Sequence, residues 1–161
     1  MPDAMAVHDI DSAALMALVK RMRDEGLLPS DRKIAVPPTL FIGAADLPID
    51  PTPEWQPHGL RAKASAGADF VQTQFCYDLD LARRYFACLA DEGLTEKLKF
   101  IVGIGPLASA RSAHWMNDNL FGVTVPPDVL RRMDQAADGA AEGIAVCVEA
   151  IQGLREVPGI A

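Results

Sequence analysis

The sequence predicts an α/β fold in which short parallel strands alternate with amphipathic helices. Three apolar runs suited to buried strands are centred near Phe41, Phe70 and Phe100. They lie roughly 30 residues apart, the length of one βα unit. Because segments with helical apolar spacing separate them, a parallel sheet with right-handed crossovers follows. Open doubly wound sheets and (β/α)8 barrels share this rhythm, and both bind ligands at the carboxyl ends of their strands.

The first half of the chain is expected to hold two helices and one strand. An Asp-Ser pair can cap a helix that runs over 12–25 and ends at Gly26. The apolar run over 39–43 suits a buried strand. After a proline-containing loop, a second helix fits residues 54–66 and ends at Gly67.

The second half continues the same alternation. A strand is expected over 69–75, followed by a helix over 79–92 that an aspartate can cap. A third strand over 99–104 ends at a Gly-Pro pair, and a helix fits 108–118. Two consecutive prolines open a long helical region over 126–156, and two glycines inside it either split it or mark a close helix crossing.

Composition and charge limit the classes of function. The 161 residues suffice for one domain with a core, and the net charge of −7 argues against non-specific binding to nucleic acid or acidic membranes. No apolar run reaches the ~20 residues of a membrane span. The first residues lack a signal-peptide pattern, and the three cysteines lack metal-type spacing and suit a reducing compartment. We therefore expect a cytoplasmic protein without a metal site.

The strand over 69–75 is unusual because polar side chains occupy a place where apolar ones are normal. Gln72 and Gln74 share one face of this strand, and Thr73 lies on the other. Burying amides is costly unless something hydrogen-bonds them. A carboxamide offers a donor and an acceptor side by side, which suits the edge of a pterin, flavin or nicotinamide ring. Pairing with neighbouring strands or backbone is the alternative.

Other polar residues near the predicted strand ends are weaker candidates. Lys63, at the end of the helix that precedes this strand, could reach a phosphate as a point charge, or simply favour the helix dipole and solvent. Asp46 and Asp78 lie in strand-to-helix loops, where acids act in catalysis and also serve as caps. A single Gly-x-Gly at 103–105 is weak evidence for dinucleotide binding.

Several of these segments resemble the methylenetetrahydrofolate reductase family. The most specific is the run over 67–75, Gly-Ala-Asp-Phe-Val-Gln-Thr-Gln-Phe, which continues to Tyr77 and Asp78. The weaker pieces flank it and are Phe41-Ile42-Gly43-Ala44-Ala45, Lys63 with Ala66-Gly67-Ala68, Gly103-Ile104 with Pro106-Leu107, and Gly122-Val123 with Val125-Pro126. The similarity spans about residues 7–161.

The resemblance implies a fold, a reaction and cofactors. It implies that residues 1–161 form a single partial (β/α)8 TIM-type barrel domain of about three to four βα units, with a loose segment over 1–10. Members of the family bind FAD and reduce 5,10-methylenetetrahydrofolate to 5-methyltetrahydrofolate, using NAD(P)H to reduce the flavin. A role in one-carbon metabolism and methionine biosynthesis is therefore expected.

The resemblance also assigns roles to individual residues. Gln74 matches the glutamine that contacts the folate pterin and the nicotinamide, and Lys63 matches a lysine at the FAD site. Ser112 falls where some members place a glutamine near the folate. A family tyrosine near the flavin is replaced close to Ala45. No catalytic residue is assigned, because the acid of the family lies in the first strands of the barrel.

Length sets this chain apart from a complete barrel, which needs about 250 residues. We expect the first strands to precede residue 1, so that catalysis by the chain alone is weak or absent. The expected sheet edge and apolar helix faces would then be open. A homo-oligomer or a partner chain that completes the barrel would cover them. The alternatives are a non-catalytic half-barrel subunit and a truncated product.

Overall fold

A three-stranded parallel sheet forms the centre of the protein. The structure, a computed structural model, describes residues 9–161, so the expected loose segment over 1–10 lies outside it except for two exposed residues. The strands are β1 (Gly43–Asp46), β2 (Phe70–Phe75) and β3 (Lys99–Gly103), in the spatial order β1-β2-β3. The α/β class with parallel strands is confirmed, and the number of barrel units stays a prediction.

Seven helices accompany this sheet within the described residues. They are α1 (Ser12–Asp24), α2 (His58–Ser65), α3 (Leu79–Asp91), α4 (Leu94–Lys97), α5 (Ala110–Asn119), α6 (Pro127–Gln135) and α7 (Gly139–Arg155). Asp11 caps α1 and Asp78 caps α3, as the sequence indicated, because each side chain accepts a hydrogen bond from a free backbone N–H of the first turn. No helix in residues 9–161 is long and apolar enough to cross a membrane.

The predicted strand over 39–43 is wrong in its position. β1 begins at Gly43, and Phe41 is 70% exposed. The ring of Phe41 instead stacks on Phe70, with ring centroids 5.3 Å apart and planes 11° from parallel. Ile42, which is buried, is held by Asp69, whose carboxylate accepts from the Ile42 N–H at 2.7 Å. The apolar run therefore precedes the strand and contributes only Gly43 to it.

The predicted helical region over 126–156 is two helices that meet at a short break. Asp138 caps α7 by accepting hydrogen bonds from the backbone N–H groups of Ala140 and Ala141. Within α7, Gly143 packs on the backbone of Leu107, because a Cβ at that glycine would lie 1.7 Å from the Leu107 carbonyl oxygen. The suggested split is confirmed, whereas Gly143 makes its close contact with the loop before α5, so the suggested helix crossing is wrong.

The two faces of the sheet have different environments. One face packs on helices, where Val71 and Phe100 are fully buried beside Phe86 and other apolar side chains. The opposite face is open, and its residues include Gln72 and Ile101, both exposed and directly paired in register. Gln72 of β2 thus points into open space at the face that a barrel would enclose.

Candidate functional site

An open groove lies on the exposed face of the sheet towards the carboxyl ends of β1 and β2. We call it the sheet groove, and its volume is about 500 Å³. Its lining residues are Gly43, Ala44, Ala45, Asp46, Phe70, Gln72, Thr73 and Gln74. Phe70 lies across Gly43, where a Cβ would meet the ring at 2.4 Å, so the glycine allows a flat aromatic floor. The size and the mixed lining are typical of a small-molecule site.

A β-bulge at the end of β2 sets the direction of Gln74. Register with β3 is regular at Gln72 and then shifts before Phe75. Gly103 allows this shift, because a Cβ there would lie 2.8 Å from the Thr73 carbonyl oxygen. The buried Thr73 hydroxyl fills the irregular ladder by accepting from the Gly103 N–H at 3.2 Å. Bulges redirect side chains near functional sites in this way.

The amide of Gln74 is paired with backbone on both sides. Its Oε1 accepts from the Phe75 N–H at 3.0 Å, and its Nε2 donates to the Phe121 carbonyl oxygen over a long 3.4 Å. The alternative reading, pairing with backbone, is thus what the structure contains. Because an amide has two N–H donors and two acceptor lone pairs, Gln74 keeps capacity for a further partner. Gln72 is exposed in the same groove.

Lys63 reaches β1 from the last turn of α2. Its Nζ donates to the Ala45 carbonyl oxygen at 2.6 Å and lies 4.0 Å from Asp46 Oδ1. The structure therefore brings Lys63 and Ala45 together at the wall of the sheet groove, although Lys63 does not line it. Ala45 and Gln74 line the same groove. Their expected contacts with FAD remain predictions.

A carboxylate–tyrosine pair at the end of β1 was not predicted from the sequence. The Asp46 side chain is 15% exposed and accepts a hydrogen bond from the hydroxyl of Tyr85, which is buried on α3. Burial raises the pKa of Asp46 above its usual range, and the Tyr85 hydrogen bond partly opposes this. Burial and the neighbouring carboxylate likewise raise the pKa of Tyr85. No local signal joins residues 39 positions apart.

Ser112 lies in a capping box and outside the lining of the sheet groove. Its Oγ accepts from the Ser109 N–H at 3.0 Å and donates to the Ser109 carbonyl oxygen at 2.9 Å. The Ser112 N–H in turn donates to Ser109 Oγ. These bonds satisfy free groups at the start of α5. The structure gives Ser112 this capping role, and its expected contact with folate remains a prediction.

A second cleft, of about 480 Å³, lies between the start of α3 and helices α6 and α7. Arg132 is prominent in its lining and forms ion pairs with Glu142 and Glu149. These bonds lower the pKa of Glu149. Within residues 9–161 no cluster of three or more His, Cys, Asp or Glu side chains could hold a metal ion. The sheet groove is a better candidate site than this second cleft, because it lies at the carboxyl ends of parallel strands.

Comparison with known proteins identifies the family of the chain. A family model described as methylenetetrahydrofolate reductase matches residues 5–157, which is nearly the whole chain. The matched range includes every residue of the sheet groove. A search of curated proteins found no match. The chain therefore belongs to the methylenetetrahydrofolate reductase family, whose members are oxidoreductases of folate-dependent one-carbon metabolism.

Proposed function

We propose that this chain binds planar rings in a methylenetetrahydrofolate reductase-type reaction. In that reaction NAD(P)H reduces FAD, and 5,10-methylenetetrahydrofolate is reduced to 5-methyltetrahydrofolate, which supplies methionine biosynthesis. The observation that carries the proposal is the sheet groove, in which two amides, Gln72 and Gln74, lie at the end of a parallel strand. Ligands of such sheets bind at this end.

The ring of a flavin and its diphosphate find different environments in the chain. The flat floor made by Phe70 and the amides of Gln72 and Gln74 fit an aromatic ring with donors and acceptors on its edge. Lys63, which contacts the groove residue Ala45, already donates to the backbone carbonyl oxygen of that residue. The residues present therefore fit the ring of FAD, and we assign no contact to its diphosphate.

Within this proposal the side chains bind and orient the rings. Bound FAD would carry hydride between nicotinamide and folate. Gln74 would exchange its long bond to Phe121 for a hydrogen bond to the edge of the pterin or nicotinamide, since that 3.4 Å bond is the weaker of its two contacts. Gln72 would contact the same ring from the middle of β2. We assign no catalytic residue in the chain, and an acid in the first strands of the barrel remains our expectation.

We place the protein in the cytoplasm. The three cysteines, Cys76, Cys88 and Cys147, are free thiols, and Cys76 and Cys147 are buried. Burial raises the pKa of the Cys76 thiol to about 11, so that it is an unreactive apolar residue at neutral pH. Free buried thiols are typical of proteins from reducing compartments.

The test is binding of flavin and folate by the purified full chain. We expect the chain to quench riboflavin fluorescence, and Gln74→Ala to weaken the binding of 5-methyltetrahydrofolate or NADH about tenfold through the lost amide contacts. Gln152→Ala is the matched control, because Gln152 is an exposed amide on α7. Equal affinities for Gln74→Ala and Gln152→Ala would remove Gln74 from the site.

A second candidate function is that of a non-catalytic half-barrel subunit. The observation that favours it is an apolar groove at the outer edge of β3, which we call the edge groove. Its lining residues are Ile101, Val102, Ile104, Ile151, Leu154, Arg155, Ile160 and Ala161. A second copy of the chain could cover this surface. Absence of flavin and folate binding together with concentration-dependent association would favour this candidate over the first.

A further inference from the structure

The charge of the sheet groove differs from what an anionic ligand would require. Of the described residues that line the groove, Asp46 alone is charged. Asp46 lies at the end of β1, the wall of the groove next to the helices, and its carboxylate points towards those helices, where it accepts from Tyr85 with 15% of the side chain exposed. A phosphate that approached this wall would meet a negative charge in a partly buried place, where screening by solvent is reduced.

Lys63 is the residue that could offset the charge of Asp46 for a phosphate, but its ammonium group is already bound to the end of β1. Its ammonium group donates to Ala45 at 2.6 Å and lies 4.0 Å from Asp46, with 21% of the side chain exposed. A charge pair at this distance cancels most of the field that a lysine alone would exert on a nearby anion. Lys63 is thus committed to stabilising the end of β1.

We propose that Asp46 is a specificity-determining residue, which makes the sheet groove favour an uncharged planar ring and disfavour a phosphate group beside Lys63. The inference rests on the proposed function, because it takes ring binding in the groove as given. Beyond that function, Asp46 determines which part of a flavin or dinucleotide the groove selects. The neutral ring binds in the groove, and a phosphate group at the Asp46 wall adds no binding free energy.

Paired flavins that differ by one phosphate test the inference. Riboflavin and FMN would be titrated against the full chain and against Asp46→Asn, which keeps the shape of the side chain and an acceptor for Tyr85. In the unchanged chain FMN should bind no more tightly than riboflavin. In Asp46→Asn the ratio of FMN affinity to riboflavin affinity should rise about fivefold, the effect of one modest charge interaction.

Two further variants separate a local effect from net charge. Asp50→Asn changes the net charge equally at an exposed loop residue that is paired with Arg84, and it should leave the preference unchanged. Adding Lys63→Met to Asp46→Asn should abolish the gain, because the released lysine is its source. An unchanged preference in Asp46→Asn, or an equal rise in Asp50→Asn, would overturn the inference.

Inorganic pyrophosphate tests the anion half without any ring. Its binding would be followed through the NMR signal of the Lys63 side chain in the unchanged chain and in Asp46→Asn. We expect a response only in the variant. If riboflavin fails to bind but this response appears, the proposed function fails while the role of Asp46 stands. If pyrophosphate affects both proteins alike, or neither of them, the inference is wrong whatever riboflavin does.

Discussion

Asp46 carries a largely buried carboxylate, and its surroundings act on its pKa in opposite directions. Burial disfavours the charged form, whereas the Tyr85 hydroxyl and the ammonium group of Lys63 favour it. Burial is the largest of these effects, so the pKa of Asp46 is raised above its usual value near 3.8. A raised pKa means that the folded protein binds the proton more tightly than the unfolded chain does.

Because the pKa of Asp46 is raised, the free energy of unfolding depends on pH. The stability that Asp46 contributes is fully present below pH 3.8 and is lost as the pH rises through the raised pKa of the folded state. We therefore predict that the free energy of unfolding of the unchanged chain falls, relative to Asp46→Asn, as the pH increases from 3.5 to 7. Each tenfold difference in proton affinity corresponds to about 1.4 kcal/mol. Urea unfolding at several pH values would measure it.

Asp50 provides a control of opposite sign. Its carboxylate is exposed and is bound by Arg84 through two hydrogen bonds of 2.7 and 2.9 Å, which lower its pKa. Relative to Asp50→Asn, the unchanged chain should therefore gain stability as the pH rises through the same range, because a lowered pKa favours the folded state once the group ionises. The same sign for both variants would contradict the assignment of Asp46 as a buried acid.

At the scale of elements, the contact between α7 and the loop before α5 depends on one glycine. A Cβ at Gly143 would lie 1.7 Å from the Leu107 oxygen and 2.7 Å from the Leu107 carbonyl carbon, both of them backbone atoms. Because backbone cannot rotate away as a flexible side chain can, α7 would have to move outward. Leu107 is fully buried, so that movement would loosen the core of Val125, Met133 and Val146.

We predict that Gly143→Ala lowers the free energy of unfolding by about 2 kcal/mol or more, in spite of the better helix propensity of alanine. Gly59→Ala in α2 is the matched control, because no atom lies within 4 Å of a Cβ at that position. There alanine should stabilise the protein by about 0.5 to 1 kcal/mol. Chemical unfolding of both variants measures the difference in the free energy of unfolding. A Gly143→Ala protein as stable as the unchanged chain would show that the contact between α7 and the Leu107 backbone is not tight.

The elements show which features the sequence could predict. β2, β3 and α3 were predicted within about two residues, because glycines, a Gly-Pro pair or a capping aspartate mark the ends of their apolar runs. The prediction for the run at 39–43 was wrong, because its Phe41 stacks on Phe70 and stays exposed instead of entering the core. α4 was missed, since its four residues are too few to show a helical period.

The candidate site was only partly predictable for a similar reason. Gln74 and Gln72 could be placed on one strand face from their spacing alone. The pairing of Asp46 with Tyr85 could not, because it depends on how α3 packs against β1. The capping role of Ser112 could have been found from the Ser-x-x-Ser spacing at the start of α5, although serine is less usual than glutamate at that position.

At the scale of the whole molecule, the edge groove is an exposed surface lined mainly by apolar side chains. Ile101 is 50% exposed and Ile151 is 41% exposed, and the backbone of Phe100 already pairs in parallel with Ile160 beside them. Further along α7, Ile144 and Val148 are also exposed and lie one helical turn apart. A chain of net charge −7 resists association by repulsion, so contact through this surface would have to be driven by apolar burial.

We predict that the full chain associates with itself through the edge groove and that Ile151→Lys weakens this association about tenfold, since one large apolar contact is lost. Sedimentation velocity over a range of concentrations would measure it. Val36→Lys is the control, because Val36 is 82% exposed outside the groove and the substitution adds the same charge. Both variants reduce the repulsion between acidic copies, so electrostatics alone would strengthen association in each. Weaker association only in Ile151→Lys would therefore identify the groove, whereas a chain that is monomeric at every concentration would show that this apolar edge does not bind a second copy.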